Sequence, residues 1–390
     1  MKLKLKNTPE QVELIKAMGS RNGTESREAL EAFAAFVGPV VQKVLNETAL
    51  SSALYTDMAF DEDDSPSIPL DLYYNEDAGL ISVWSQNVAG GLPTSTVDVP
   101  VQEMKFSTYR LDSAVSFHKR YARKSRLDVV SKAIERMTQE VLIKQERNAW
   151  AVVLKAVAEA ATKNGKAATV GSTGSLRHVV DSAGSSAAQF TLADLNKLVT
   201  RMKRVSQSFA GGTAAETRGV TDIYVSPEIK AAIRAFAYNP LNAVSVAAVN
   251  GQTSVPEAVR EEIYRGAGTE EIYGITIHEL LELGLNQRYN TLFANVWNNA
   301  SDLASDIDGY YGGSIDTTSQ ELILAVDATR DAFVRPVARQ AESGGQFVVL
   351  PDDQFYASRQ DKTGFYGFVE EGRVCLDARA VGGIVIGSQS

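Results

Sequence analysis

Residues 109–162 read YRLDSAVSFHKRYARKSRLDVVSKAIERMTQEVLIKQERNAWAVVLKAVAEAAT, and the period of the apolar positions changes once along them. Tyr109, Leu111, Ser113, Val115 and Phe117 alternate with Arg110, Asp112, Ala114 and Ser116, the two-residue period of a strand with one covered face. Beyond a basic run, Leu127, Val130, Ile134, Met137, Val141, Ala149, Val152 and Ala156 keep helical spacing. Ser125 with Asp128 three residues on is a capping-box-like start, and Asn164-Gly165 supplies a stop. An unbroken helix over residues 127–162 would measure about 54 Å at 1.5 Å per residue, well above the usual three or four turns. The stretch therefore reads as a strand running into a spine helix.

Working back from the strand, Val97, Val99 and Val101 alternate with Asp98, Pro100 and Gln102, residues 80–83 support a short strand, and Ala89-Gly90-Gly91-Leu92-Pro93 is strong turn chemistry. Together they predict a long two-stranded ribbon with Gly90 and Gly91 at its tip. Such a ribbon is marginal alone in water and needs a further surface. Residues 9–18 and 24–46 have helical spacing, with Leu30, Phe33, Val37, Val40, Val41, Val44 and Leu45 on one broad face and an interruption expected at Gly38-Pro39. An acidic run, Asp61-Glu62-Asp63-Asp64, and a segment held extended by Pro66 and Pro69 follow. An apolar helix on such a tether is expected to find its cover on a neighbour.

Working forward, a Gly/Ser/Ala-rich stretch over residues 171–188 leads into an α/β-like region, 191–340, and no internal repeat is found. Thr191 opens a helix to about residue 205, residues 222–225 form a short buried strand, and Ser226 with Pro227 starts the next helix as N-cap and first-turn proline. Residues 272–277, 288–294 and 322–326 are further strand candidates. The closing segment is strand-rich at 347–350, 356–360, 365–368 and 383–386. That sheet must pair with something earlier, and the spine is its natural cover.

The chain has 390 residues, 44% hydrophobic and 22% charged, enough for two or three folded units with real cores. Its composition argues against disorder, collagen-like and low-complexity structure. No apolar run approaches the roughly 20 residues of a membrane span, and the alternating Lys and Leu of residues 1–6 are not a signal-peptide core, so a soluble, unexported chain is expected. One cysteine, Cys375, excludes an internal disulfide and a thiolate zinc cage, and its apolar strand setting reads as a packed thiol. The scattered His118, His178 and His278 leave little room for a histidine metal centre. A net charge of −9 argues against a dedicated sequence-reading nucleic-acid binder. Phosphate-loop, dinucleotide-binding and nucleophile-elbow motifs are absent. Gly171 to Ser175 and Asp352-Asp353 are read as linker and turn. No catalytic residue, cofactor site or metal site is expected.

One charge pattern stands out. Lys119, Arg120, Arg123, Lys124 and Arg126 place five cations within eight residues, while Asp61, Glu62, Asp63 and Asp64 are consecutive acids. Each run can be a solvated face; alternatively the two meet between subunits and set register and assembly rate.

The order of parts resembles the major capsid proteins of tailed bacteriophages, a fold shared with encapsulins and the floor of herpesvirus shells. The stretches that carry it are 40–70 as the arm, 79–121 as the extended loop, 127–161 as the spine, Thr221-Asp222-Ile223-Tyr224-Val225-Ser226-Pro227-Glu228 as the strand-to-helix entry of the axial domain, and 354–377 as closing strands. The resemblance implies an α+β fold divided into an N-terminal arm (1–71), an extended β-hairpin loop (72–121), a peripheral domain with the spine (122–190 and 341–390) and an α/β axial domain (191–340). It implies a homo-oligomer of pentamers and hexamers closing an icosahedral shell around double-stranded DNA. A scaffolding protein, a portal, a decoration protein and non-specific DNA contact are the implied partners. No membrane is involved; assembly would occur in the host cytoplasm and residence in the virion. Some relatives lock the shell through a loop lysine, but residues 85–103 contain none, implying a non-covalent lock here. Two other readings remain at this point: an encapsulin-like compartment, told apart by particle contents, and an α/β enzyme built on residues 191–340.

Overall fold

The computed structural model describes residues 8–20, 22–61, 66–69, 103–124, 127–163, 175–182, 190–206, 219–235, 271–272, 274–299, 311, 313–339, 347–351 and 361–387. In chain order the elements begin with α1 (Pro9–Met18), α2 (Gly23–Thr48), β1 (Tyr55–Asp61), β2 (Ser67–Pro69), β3 (Glu103–Lys105), β4 (Tyr109–His118), α3 (Lys119–Arg123) and the spine α4 (Leu127–Glu159). They continue with β5 (Ala161–Lys163), β6 (Ser175–Arg177), β7 (Val179–Asp181), α5 (Leu192–Ser206), β8 (Asp222–Val225), α6 (Pro227–Ala235), β9 (Glu271–Ile272), β10 (Ile275–Glu279) and α7 (Arg288–Asn299). The last are β11 (Gln320–Val326), β12 (Phe333–Arg339), β13 (Val348–Pro351), β14 (Lys362–Glu371), β15 (Val374–Cys375) and β16 (Val381–Gly387). The architecture is mixed α+β, in two compact units.

The first unit comprises residues 1–69, 103–149 and 333–374. Its sheet has β1 parallel to β12, from Tyr55 opposite Phe333 to Asp61 opposite Arg339, and β14 antiparallel to both β4 and β13. The β4–β14 ladder runs through ten residue pairs, from His118 opposite Lys362 to Tyr109 opposite Glu371. The alternation along β4 is as expected, with Phe117 buried, Leu111 and Val115 packed on the core, and Arg110 and Asp112 exposed. Its partner differs from the expected ribbon: β4 is a full member of the sheet, because Phe365 and Val369 on β14 complete its apolar face. The proposed other half of the ribbon, Val97 to Val101, lies outside the described residues, as do Gly90 and Gly91, residues 80–83, Ser125, Asn164-Gly165, residues 171–174 and residues 356–360. The strands bordering residues 70–102 do pair antiparallel, Ser67 with Lys105 and Pro69 with Glu103, so that segment leaves and returns at one place.

Two expectations about the N-terminal helices are overturned. Thr8 caps α1 by accepting from the Gln11 N–H, and Asn22 caps α2 by accepting from Thr24, which then continues through Pro39 to Thr48 without the break expected at Gly38-Pro39. Leu30, Phe33, Ala34, Val37, Val41 and Leu45 stay on one buried stripe across the proline, and that common burial outweighs the backbone bond proline cannot donate. The cover for this stripe is the chain itself. Ile15 and Met18 of α1, the α2 stripe, Phe117, Val130, Ile134, Met137 and Val141 of the spine, and Phe347, Val349, Phe365 and Val369 form one core, with Phe33 and Phe365 rings 5.3 Å apart. The helical spacing holds along α2, but what lies opposite an apolar face is a tertiary fact. Phe36 and Val40, on the flank of α2, remain exposed.

The second unit comprises residues 70–102, 150–332 and 375–390. Its six-stranded mixed sheet has the order β7-β16-β11-β8-β10-β9, with β7–β16 and β8–β10 parallel and the other pairs antiparallel. Leu195, Leu198 and Met202 of α5 and Ile229 and Ile233 of α6 cover one face through Ile223, Val225, Ile277, Ile323, Ala325 and Ile384. The caps are those expected: Thr191 exchanges hydrogen bonds with Asp194, and Ser226 Oγ accepts from the Ile229 N–H at 3.2 Å. Trp150 of the spine packs edge-on to Tyr224, with ring centroids 4.7 Å apart, and a side chain at Gly383 would come within 3.6 Å of Val157. The spine stops at Glu159 because residues 161–163 pair with β6 instead of continuing the helix. Residues 288–294, expected as a strand, are the first half of α7: Tyr289, Asn290, Phe293, Ala294 and Trp297 are buried at helical spacing, a period the short window disguised.

Candidate functional site

The basic cluster lies where β4 ends and the chain turns through α3. Arg123 Nε donates to the Gly19 carbonyl at 2.8 Å and its Nη2 sits 3.5 Å from Asp361 Oδ1. The backbone approach is close enough that a Cβ on Gly19 would come within 2.8 Å of the Arg123 nitrogen. Arg123 therefore clamps the end of α1 to α3. Lys119 is half-buried, Arg120 and Lys124 are exposed, and no ion pair among the described residues involves these three. Asp61 is exposed at the end of β1. Among the described residues no hydrogen bond or ion pair joins it to the cluster. Glu62, Asp63, Asp64 and Arg126 lie outside the described residues.

The polar concentration that sequence reasoning missed is inside the first unit. Glu371, 0% exposed, accepts from Arg335 Nε at 2.7 Å, Gln145 Nε2 at 3.2 Å and the Tyr109 hydroxyl at 3.2 Å, with Arg373 Nη2 at 3.4 Å. Burial and the Glu371 charge push the Tyr109 hydroxyl up to about 12, which keeps it a donor. Arg335 Nη1 extends to Asp57 at 3.4 Å, and the Arg373 guanidinium lies 4.6 Å from the Tyr55 ring centre. These groups border a cavity of about 230 Å³ whose walls include Ser51, Tyr55, Gln145, Arg335 and Arg373. The available signal was a lone arginine inside the apolar run of residues 333–338.

In the second unit, Asp327, Arg330, Asp377 and Arg379 form a buried ionic group, with Arg330 Nη1 2.9 Å from Asp377 Oδ2 and Arg379 Nε 2.8 Å from Asp377 Oδ1. His278 Nε2 lies 2.9 Å from Asp222 Oδ1 and holds that carboxyl below its usual range, while its ring stacks on Tyr224. His178 is buried with Nδ1 2.9 Å from the Val381 carbonyl oxygen. Burial and the nearby Asp377 charge push the Cys375 thiol up to about 12, so it stays protonated at neutral pH. Among the described residues no cluster of three or more His, Cys, Asp or Glu could hold a metal ion. No helix among them is long and apolar enough to cross a membrane. Arg330 with Asp377, and Asp222 with His278, join segments that are distant in sequence.

No family model and no curated protein matches the chain. Among solved structures it is similar to the capsid of the cyanophage P-SCSP1u, with 11% identity over 86% of this chain and 87% of that one and a TM-score of 0.47. It is similar to the mature capsid of bacteriophage PhiM1, with 10% identity, 87% of each chain covered and a TM-score of 0.47. It is also similar to an encapsulin complex from Synechococcus elongatus, with 12% identity over 85% of this chain and 84% of that one and a TM-score of 0.41.

Proposed function

We propose that the chain is a major capsid protein of a tailed bacteriophage, the repeated structural subunit of a closed shell around double-stranded DNA. The observation that carries this reading is the path of the chain between β2 and β4. The chain departs through β2, returns beside it through β3, enters the sheet as β4 and turns through the short α3 into the 33-residue spine. Paired strands bordering residues 70–102 suit a segment that contacts a neighbouring copy, and compact units suit a tile. Because α1 and α2 are covered by their own chain, the role of intersubunit contact falls on residues 70–102 and on surface charge rather than on these helices. The division into arm, extended loop, peripheral domain and axial domain, with the boundaries given above, belongs to this proposal.

One chain serving rings of five and six needs adaptable contacts on fixed tiles, and many modest contacts per subunit make a closed shell hard to dismantle. The acids from Asp61 to Asp64 and the cations Lys119, Arg120, Lys124 and Arg126 are the proposed charge contacts, setting register more than affinity. The subunit acts without catalysis. Assembly in the host cytoplasm, residence in the virion, a separate scaffolding protein, a portal, a decoration protein and non-specific contact with packaged DNA complete the proposal.

The test is expression of the chain alone and with a candidate scaffolding protein, followed by negative-stain microscopy. Rings of five and six and closed particles are expected, with DNA as the content of particles recovered from infected cells. A monomer under all assembly conditions overturns the shell reading, and an enzyme cargo in native particles replaces the phage assignment with a cellular compartment.

A further inference from the structure

We propose that the cavity bordered by Arg335 and Arg373 is a built seat for a carboxylate group. The two guanidinium side chains are 9% and 4% exposed and share one buried carboxylate, Glu371. Glu371 is already engaged by Arg335, Gln145 and Tyr109. Arg373 is left with a 3.4 Å contact to it, longer than a charge-assisted hydrogen bond, and among the described residues its Nε has no acceptor. A guanidinium withdrawn from water with so little compensation is costly unless an anion completes its shell. It is also held in position: the Tyr55 ring lies beneath it at 4.6 Å, and the Tyr55 hydroxyl is pinned to the Ala149 carbonyl at 2.9 Å.

Among the described residues the anions near the cavity leave the position open. Glu146 Oε1 is occupied by the Ser51 N–H at 3.1 Å and the Ser51 hydroxyl at 2.8 Å. Asp57, with its side chain 40% exposed, reaches Arg335 at 3.4 Å and acts as a loose internal stand-in. The cavity, about 230 Å³, accommodates a carboxylate with several carbons behind it. A planar carboxylate fits the fork of an arginine, and one carboxylate of a flexible diacid brings a single charge toward Asp57 at the wall where a phosphate dianion brings two on one centre. The carboxylate can come from an acidic side chain of a second copy, which rests on the shell reading above, or from a small free carboxylic acid.

The probe is succinate, added to the full-length chain at neutral pH and compared with sodium chloride and phosphate at matched ionic strength, with binding read by calorimetry and melting temperature. Succinate is expected to bind and raise the melting temperature where chloride does not and phosphate does so less. Asp57→Asn, which removes the exposed competitor, should tighten succinate binding several-fold. Ser52→Glu, which places a carboxylate at the exposed rim, should abolish it while the fold is retained. No succinate-specific response in either the parent chain or Asp57→Asn overturns the seat, as does an equal response to phosphate. Saturating succinate that slows particle formation assigns the seat to a neighbour's acid; unchanged assembly with succinate bound assigns it to a free acid. A chain that binds succinate and never assembles refutes the shell while leaving the seat intact.

Discussion

Glu321 is the second residue of the buried strand β11 and is only 1% exposed. Ser226 Oγ donates to its Oε2 at 2.9 Å, and among the described residues Oε1 has no partner. Burial raises its pKa from 4.5 to about 7; the Ser226 bond works against the rise and the Glu228 charge adds to it. A carboxyl with a raised native pKa stays protonated when folded while the unfolded chain releases the proton. Its stabilising contribution is therefore complete below 4.5 and is lost as pH climbs through about 7. The interval corresponds to at most about 3 kcal/mol, or roughly a hundredfold in an opening equilibrium. The perturbation is Glu321→Gln, which keeps the shape and the Ser226 bond and removes the titration. Native-state hydrogen exchange of the α6 amides reads the second unit directly, since Ile229 donates to the same Ser226 oxygen. Between pH 5 and pH 8, the α6 amides of the parent chain should lose protection by up to about two orders of magnitude more than those of the variant. Other titrating groups are common to both and cancel in the comparison. Equal pH dependence in the two chains would falsify the assignment.

Four further outcomes follow from the packing. Glu371→Gln leaves Arg335 and Arg373 buried without their shared anion and should cost about 3–5 kcal/mol in chemical denaturation of the first unit; a loss under 1 kcal/mol would mean the group relaxes into water. Pro39→Ala restores a backbone donor inside a continuous helix whose position 39 is exposed, and should raise stability by about 1–3 kcal/mol, whereas a decrease would show that the proline shapes a needed bend. Gly364→Ala drives a methyl into the Val115 carbonyl and to 2.9 Å from Ser116 Cα, separating β14 from β4, and should cost at least about 2 kcal/mol. Gly274→Ala, at φ +75 with nothing among the described residues within 4 Å, should cost only the left-handed penalty of about 1–2 kcal/mol. Comparing the melting of these two variants separates crowding from backbone strain.

The proposed contact residues were legible only as charges. Sequence order displays that Lys119, Arg120, Arg123 and Lys124 cluster and that Asp61 begins an acidic run, but Arg123 turns out to be held by Gly19 and Asp361 of its own chain. The buried Glu371 group was not legible, because Tyr109 and Glu371 are 262 positions apart and neither is unusual in its local window. Glu321, before five consecutive apolar residues, resembles a strand-end charge until the fold closes over it.

By itself the amino-acid order determined what depends on neighbours within a turn or two: the strand period of residues 109–117, the spine, the caps at Thr191 and Ser226, and the apolar stripe of α2. These follow from backbone geometry, which repeats every two residues in a strand and every 3.6 in a helix wherever the chain goes. Only the tertiary structure decided which surface covers that stripe, which strand β4 joins, that residues 288–294 coil rather than extend, and that Arg335, Arg373 and Glu371 share one dry centre. Those outcomes depend on contacts between distant segments, and an apolar face or a lone charge specifies that it needs a partner without specifying which one.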